Sequence, residues 1–121
     1  MKKTVFVISL IVVLAVGFIA LNGGFALHTY DDFAKCLYEK DVKMYGAFWC
    51  PHCQNQKSMF GASFEFVNYI ECSLPDGNGQ TEVCINEKIE GYPTWDFNGE
   101  RVSGELSLEE LSRRSGCSLP E

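Results

Sequence analysis

Positive charge is scarce in this chain: ten lysines and arginines stand against sixteen aspartates and glutamates, a formal net charge of −6. An acidic protein without a basic stripe is a poor partner for nucleic acid, and that class is set aside. Histidine is scarcer still, with two in 121 residues. There is one C-x-x-C, no H-x-x-x-H, and no second cysteine pair at zinc-knuckle spacing. A metal-binding module would therefore be short of ligands, and no metal is expected. Internal repeats are absent, and nothing beyond the N-terminus is of low complexity. One domain is all the length allows.

What is present begins with Lys2-Lys3 and an uncharged apolar run, Thr4 to Leu21, interrupted only by Thr4, Ser9 and Gly17. Such a segment is a signal anchor or signal peptide and is kept out of the fold. The run is long for a signal-peptide core and near the lower limit for a spanning helix. Retention is the first reading, with cleavage after Ala26, at the small residues Gly24 and Ala26, as the second. The expected division is 1–26 for this segment and 27–121 for the domain, joined through a short flexible Asn22-Gly23-Gly24. The lysine pair stays inside, so the domain faces the extracytoplasmic side of the cell membrane, or is secreted or periplasmic if cleaved. The exported part keeps eight basic against sixteen acidic residues, a net of −8.

All six cysteines, at 36, 50, 53, 72, 84 and 117, fall in that part. An oxidising compartment favours disulfides there, and a domain of about 90 residues, with over a third of its chain surface still exposed, benefits from them. Thr29 with Asp32 suggests a capped helix carrying Phe33, Ala34, Cys36 and Leu37. Val42 to Trp49 reads as a strand buried on both faces, and Pro51 to Phe60 as a helix with Pro51 in its first turn, ended by Gly61. Asn68 to Glu71 is a short strand. Pro75 to Gly79 is a turn-rich surface loop and Glu82 to Glu87 a short helix. Thr94 to Phe97 and Glu100 to Ser103 form a hairpin about Asn98-Gly99. Ser107 with Glu110 is a capping box opening a last helix to about Ser115. Phe33, Phe48, Phe60, Phe97 and Trp95 are assigned to the core. Helices between the early strands imply parallel pairing and the hairpin an antiparallel edge: an α/β sandwich with a small mixed sheet flanked by helices.

Cys50 falls where a strand ends and a helix begins. Unpaired N–H groups and the helix dipole favour a thiolate there, and the thiolate is the form that attacks disulfides. Cys53, one turn on, is near enough to close a disulfide with it. Cys72 and Cys84, twelve residues apart, flank the turn-rich loop. A bridge between them would contribute about 3 kcal/mol in the chain-entropy model. A relay of electrons through that pair is the alternative. Cys36 and Cys117, on the first helix and just past the last, either bridge, with the chain end wrapped round the sheet edge, or leave Cys36 buried as a free thiol.

The element order, with Cys50-Pro51-His52-Cys53 after the first strand and Pro93 opening the hairpin, resembles the thioredoxin fold from about Thr29 to Gly116. Four segments, Tyr-Gly-Ala-Phe-Trp-Cys-Pro-His-Cys, Tyr-Ile-Glu-Cys-Ser, Gly-Tyr-Pro-Thr-Trp and Leu-Glu-Glu-Leu-Ser-Arg-Arg-Ser-Gly, are similar to the thioredoxin-like domains associated with bacterial vitamin K epoxide reductase homologues. The resemblance implies a protein thiol–disulfide oxidoreductase with Cys50 attacking and Cys53 resolving. Its redox centre is the Cys50–Cys53 disulfide, without any other cofactor. It implies a cis-proline at Pro93 and substrate contacts at Tyr92, Pro93 and Trp49, with His52 stabilising the Cys50 thiolate. The implied partners are substrate proteins bearing thiols or disulfides and a quinone-coupled membrane oxidoreductase, and the domain itself is expected to be a monomer. One departure stands out. Met44 occupies the place of a buried acid that serves the resolving thiol in thioredoxin, which favours an oxidant over a reductase. A disulfide reductase or isomerase is the runner-up, and a non-enzymatic metal-binding or scaffold module the reading of another class.

Overall fold

The computed structural model describes residues 1–22 and 28–121. The first helix, α1, runs Lys2–Asn22. Among the described residues no helix is long and apolar enough to cross a membrane, so the expected anchor gains no support here. The joint at 23–24 and the cleavage position after Ala26 lie outside the described residues.

The domain is built on four strands: β1 (Val42–Gly46), β2 (Asn68–Glu71), β3 (Thr94–Phe97) and β4 (Glu100–Ser103), in the order β2-β1-β3-β4. β1 and β2 are parallel, with Met44 opposite Tyr69 and Gly46 opposite Glu71. The crossover between them carries α3 (Pro51–Phe60) and a 3₁₀ segment, Gly61–Phe66, that the sequence reading did not separate. β3 runs antiparallel to β1, with Trp95 opposite Met44, and β4 closes the antiparallel hairpin. Asn98 (φ 56°) and Gly99 (φ 100°) both take positive φ in that turn, as an Asn-Gly type I′ turn demands. The result is a small mixed sheet with helices packed on it, the α/β arrangement the element order implied.

Alternate residues of β1 face opposite sides of the sheet and so divide the core in two. Val42 and Met44 pack with Trp95, with Phe33, Ala34 and Leu37 of α2 (Asp31–Glu39), with Cys53 and Phe60 of α3, and with Leu108 and Leu111 of α5 (Leu108–Ser115). Tyr45 faces a smaller cluster of Cys72, Cys84 and Ile89, beside α4 (Glu82–Asn86).

Several boundaries differ from the sequence reading. β1 stops at Gly46 rather than Trp49: Cys72 N–H to Gly46 O is the last rung of its pairing with β2, and the chain then turns so that Cys50 N–H reaches Ala47 O. Phe48 and Trp49 are consequently 47% and 48% exposed, and Phe48 is not core. Thr29 does not cap α2: Tyr30 takes the cap position without a side-chain bond, and its N–H donates to Ser63 Oγ (3.0 Å). Only half of the Ser107 capping box forms. Ser107 Oγ accepts from Glu110 N–H, but the Glu110 carboxylate is held by Arg113 and Arg114 instead.

Two disulfides join distant parts. Cys72–Cys84 staples the loop as the spacing suggested. Cys36–Cys117 also forms, with Cα atoms 5.9 Å apart. The obstacle expected for it, first and last helices on opposite sheet faces, does not arise, since α2 and α5 feed one core.

Candidate active site

The site lies at the end of β1, where Ala47 to Trp49 lead into α3. Cys50 is the N-cap residue of α3 and Pro51 follows as its first helical residue, needing no N–H partner. Of the six cysteines, four are tied in the two bridges, and Cys50 and Cys53 carry free thiols. Cys50 is buried, with 6% of its surface exposed and its Sγ 3.7 Å from Tyr92 O. Cys53, one turn in, is fully enclosed. Burial pushes its thiol up to about 12, and the neighbouring Cys50 adds to that, while the Ala47 backbone and Lys57 oppose it. Both sulfurs are thus buried, Cys50 with a small opening to solvent and Cys53 with none.

Pro93 is buried, follows a cis peptide bond from Tyr92, and lies at the start of β3. The Tyr92 ring meets Trp49 edge-on, with centroids 6.0 Å apart. Trp49 Nε1–H donates to Ser73 Oγ (2.8 Å), and the Tyr92 hydroxyl accepts from Gln80 Nε2 (2.8 Å). Both aromatic residues therefore rest on the segment that the Cys72–Cys84 bridge closes. Trp95 is part of the core: its Nε1–H donates to Gln56 Oε1 (3.1 Å).

His52, expected to stabilise the Cys50 thiolate, lies on the exposed side of α3. It is 72% exposed and its Nδ1 lies 3.4 Å from Glu105 Oε2, while Asn55 Nδ2 donates to Glu105 Oε1 (2.6 Å). Its hydrogen-bonding partner is a carboxylate on the loop before α5, not the Cys50 sulfur.

The sequence reading missed three further residues. Gln56, fully buried on α3, accepts from Trp95 Nε1–H and Leu106 N–H and donates to Leu106 O, fixing α3 to β3 and to the loop before α5. Tyr69 and Glu71 are two apart on β2 and so on one face, with the Tyr69 ring beside Gly46 and Cys53. The Tyr69 hydroxyl donates to Glu71 Oε2 (2.7 Å), and Glu71 Oε1 accepts from Phe48 N–H and Ser73 N–H. The Tyr-x-Glu alternation was the visible signal. Gly46 makes room for them. A Cβ there would lie 2.9 Å from Tyr69 Cε2, 3.0 Å from Cys53 Sγ and 3.3 Å from the Tyr69 hydroxyl oxygen. Burial, then the hydrogen bond to Glu71, holds the Tyr69 phenol above its ordinary range. Among the described residues no group of three or more His, Cys, Asp or Glu side chains is placed to hold a metal ion.

No family model matches the chain. Among curated proteins it is similar to thiol-disulfide oxidoreductase LTO1 of Arabidopsis thaliana, 45% identical over 93 residues, covering 73% of this chain and 24% of that protein. It is also similar to the thioredoxin domain-containing protein 5 homolog of Drosophila melanogaster, 31% identical over 97 residues, covering 67% of this chain and 22% of that one. The chain thus spans under a quarter of the length of each of these relatives. Among solved structures, the germline-specific thioredoxin Deadhead of Drosophila melanogaster is 16% identical, with a TM-score of 0.30 over 73% of this chain and 90% of that one.

Proposed function

We propose that this chain is a protein thiol–disulfide oxidoreductase working through Cys50 and Cys53. One observation carries the reading: with four cysteines locked in bridges, the two left free are the pair two residues apart at the start of one helix, Cys50 with a 6% opening to solvent and Cys53 with none. The similarity to a curated thiol-disulfide oxidoreductase supports it.

In the oxidising direction a substrate thiolate attacks Cys50 Sγ of the Cys50–Cys53 disulfide. The substrate–Cys50 bond forms, the Cys50–Cys53 bond breaks, and Cys53 leaves with the electron pair and takes up a proton. A second substrate thiolate then displaces Cys50, so the substrate departs with a disulfide and the pair retains two electrons. Trp49, Tyr92 and Pro93 form the rim against which the substrate chain lies. Reoxidation falls to a quinone-coupled membrane protein of the vitamin K epoxide reductase type, and the apolar run Thr4–Leu21 would hold the domain at the same membrane. The four segments resembling domains associated with such proteins support that partner, and Met44 in place of a buried acid supports oxidation as the direction. No cofactor beyond the disulfide is invoked.

Equilibration of the full chain in glutathione buffers, with Cys50→Ser as control, tests this. A potential of about −120 to −150 mV marks a donor of disulfides. A value of about −250 mV or lower reverses the direction and makes the protein a reductase or isomerase. No Cys50-dependent equilibrium at all would overturn the enzyme reading.

A further inference from the structure

Cys53 is sealed from solvent, yet thiol–disulfide exchange requires it to lose and regain a proton in every cycle. The ionisable groups facing it are few: Cys50 and Lys57 from α3, and Tyr69 with Glu71 behind it from β2. Lys57 Nζ lies 3.8 Å from the Tyr69 ring centroid, a cation over that ring and unsuited to accept a proton. Tyr69 is different. Its hydroxyl oxygen and the Cys53 sulfur converge beside Gly46, 3.3 Å and 3.0 Å from the point a Cβ would occupy. No hydrogen bond joins that hydroxyl to Cys53 Sγ in the resting structure; the hydroxyl donates instead to a carboxylate that is only half-buried, so it stands between the pocket that encloses the thiol and a group in touch with water.

We propose that Tyr69 and Glu71 form the path by which the Cys53 proton enters and leaves the core, with Glu71 the terminal base. The inference rests on the redox reading above. When Cys53 resolves a mixed disulfide at Cys50, its proton passes to the Tyr69 oxygen as the Tyr69 proton passes to Glu71 Oε2. The Cys53 thiolate attacks Cys50 Sγ. The Cys50–Cys53 bond forms, the bond from Cys50 to the departing sulfur breaks, and that sulfur leaves as a thiolate with the electron pair. Glu71 then yields its proton to water. In the reducing half of the cycle the same path runs backwards and protonates Cys53 as it leaves. Tyr69 never needs to ionise, since it accepts one proton as it gives up another. Glu71 acts only through Tyr69 and is a positioning residue in this sense, its backbone contacts to Phe48 and Ser73 fixing the carboxylate.

Rapid mixing of the reduced full chain with an aromatic disulfide that releases a coloured thiolate separates the two steps. A first equivalent of thiolate reports Cys50 attack and a second reports resolution by Cys53. In Glu71→Gln and Tyr69→Phe the second phase is expected to slow by about 100-fold, the usual loss on removing a positioned proton acceptor. Its rate should then climb about tenfold per pH unit, as hydroxide must do what the path did, where the wild type stays nearly flat. Glu71→Asp should recover most of the loss. A first phase within a few-fold of wild type shows that the variants are folded, and Tyr69→Phe decides the matter if Glu71→Gln is not. If the second phase keeps its wild-type rate, or slows with an unchanged pH profile, the proton path is wrong. If the wild type shows no Cys50-dependent first phase, it is the redox reading that fails.

Discussion

Two buried residues decide whether the reactive pair has a place to sit. Gly46 lies so close to Tyr69 and Cys53 that even a methyl group must displace one of them. Gly46→Ala is expected to lose about 1–3 kcal/mol of stability, as overpacked cores do, and to slow Cys53 resolution besides; urea unfolding and thiol kinetics measure the two. Gln56 has every polar atom satisfied by groups of β3 and the loop before α5. Gln56→Leu strands the Trp95 N–H and both Leu106 backbone groups. A loss of about 1–3 kcal/mol in urea unfolding is expected, the penalty for leaving the fully buried Trp95 N–H unpaired, since the half-buried Leu106 groups can turn to water. At Asp96 burial works against ionisation. Arg101 and the Gly99 amide outweigh it and hold the carboxyl below its usual range. A depressed folded value gives stability that is present above the ordinary carboxylate pKa and is lost as pH falls through the folded one. Asp96→Asn should therefore lower stability at neutral pH and flatten its decline below about pH 4, which unfolding curves at several pH values would reveal.

Among the elements, the site was the most legible part. The C-x-x-C and Pro51 located the start of α3, because the proline signal and the helix start agree there. The Asn98-Gly99 hairpin was equally plain, since both residues must take positive φ. The end of β1 was misjudged because an apolar run does not show where a strand stops; here the turn closed by Cys50 N–H on Ala47 O ends it, with apolar Phe48 and Trp49 inside the turn. Phe48 was misplaced for the same reason. The Cys36–Cys117 bridge could not be read because it depends on α2 and α5 sharing a core, a matter of packing rather than pattern. The two bridges close loops of different length, 81 and 12 residues. Removing them as Cys36→Ser/Cys117→Ser and Cys72→Ser/Cys84→Ser should cost about 4.5 and about 3 kcal/mol respectively in the chain-entropy model. The second pair should also loosen Trp49, which rests on Ser73, and its fluorescence should shift toward that of exposed indole.

For the whole molecule, the acidic surface, the two bridges and the apolar N-terminal run fit a domain working outside the cytoplasm, as part of the proposal. Whether it holds depends on a single chemical event, the capture of a substrate sulfur by Cys50. The most direct test is the intact mass of the full chain carrying Cys53→Ser, after incubation with a peptide that contains one disulfide. The account predicts a one-to-one adduct mapped to Cys50, reversed by dithiothreitol and missing when Cys50→Ser is added. An adduct that persists without Cys50, or none at all while the protein remains folded, would contradict it.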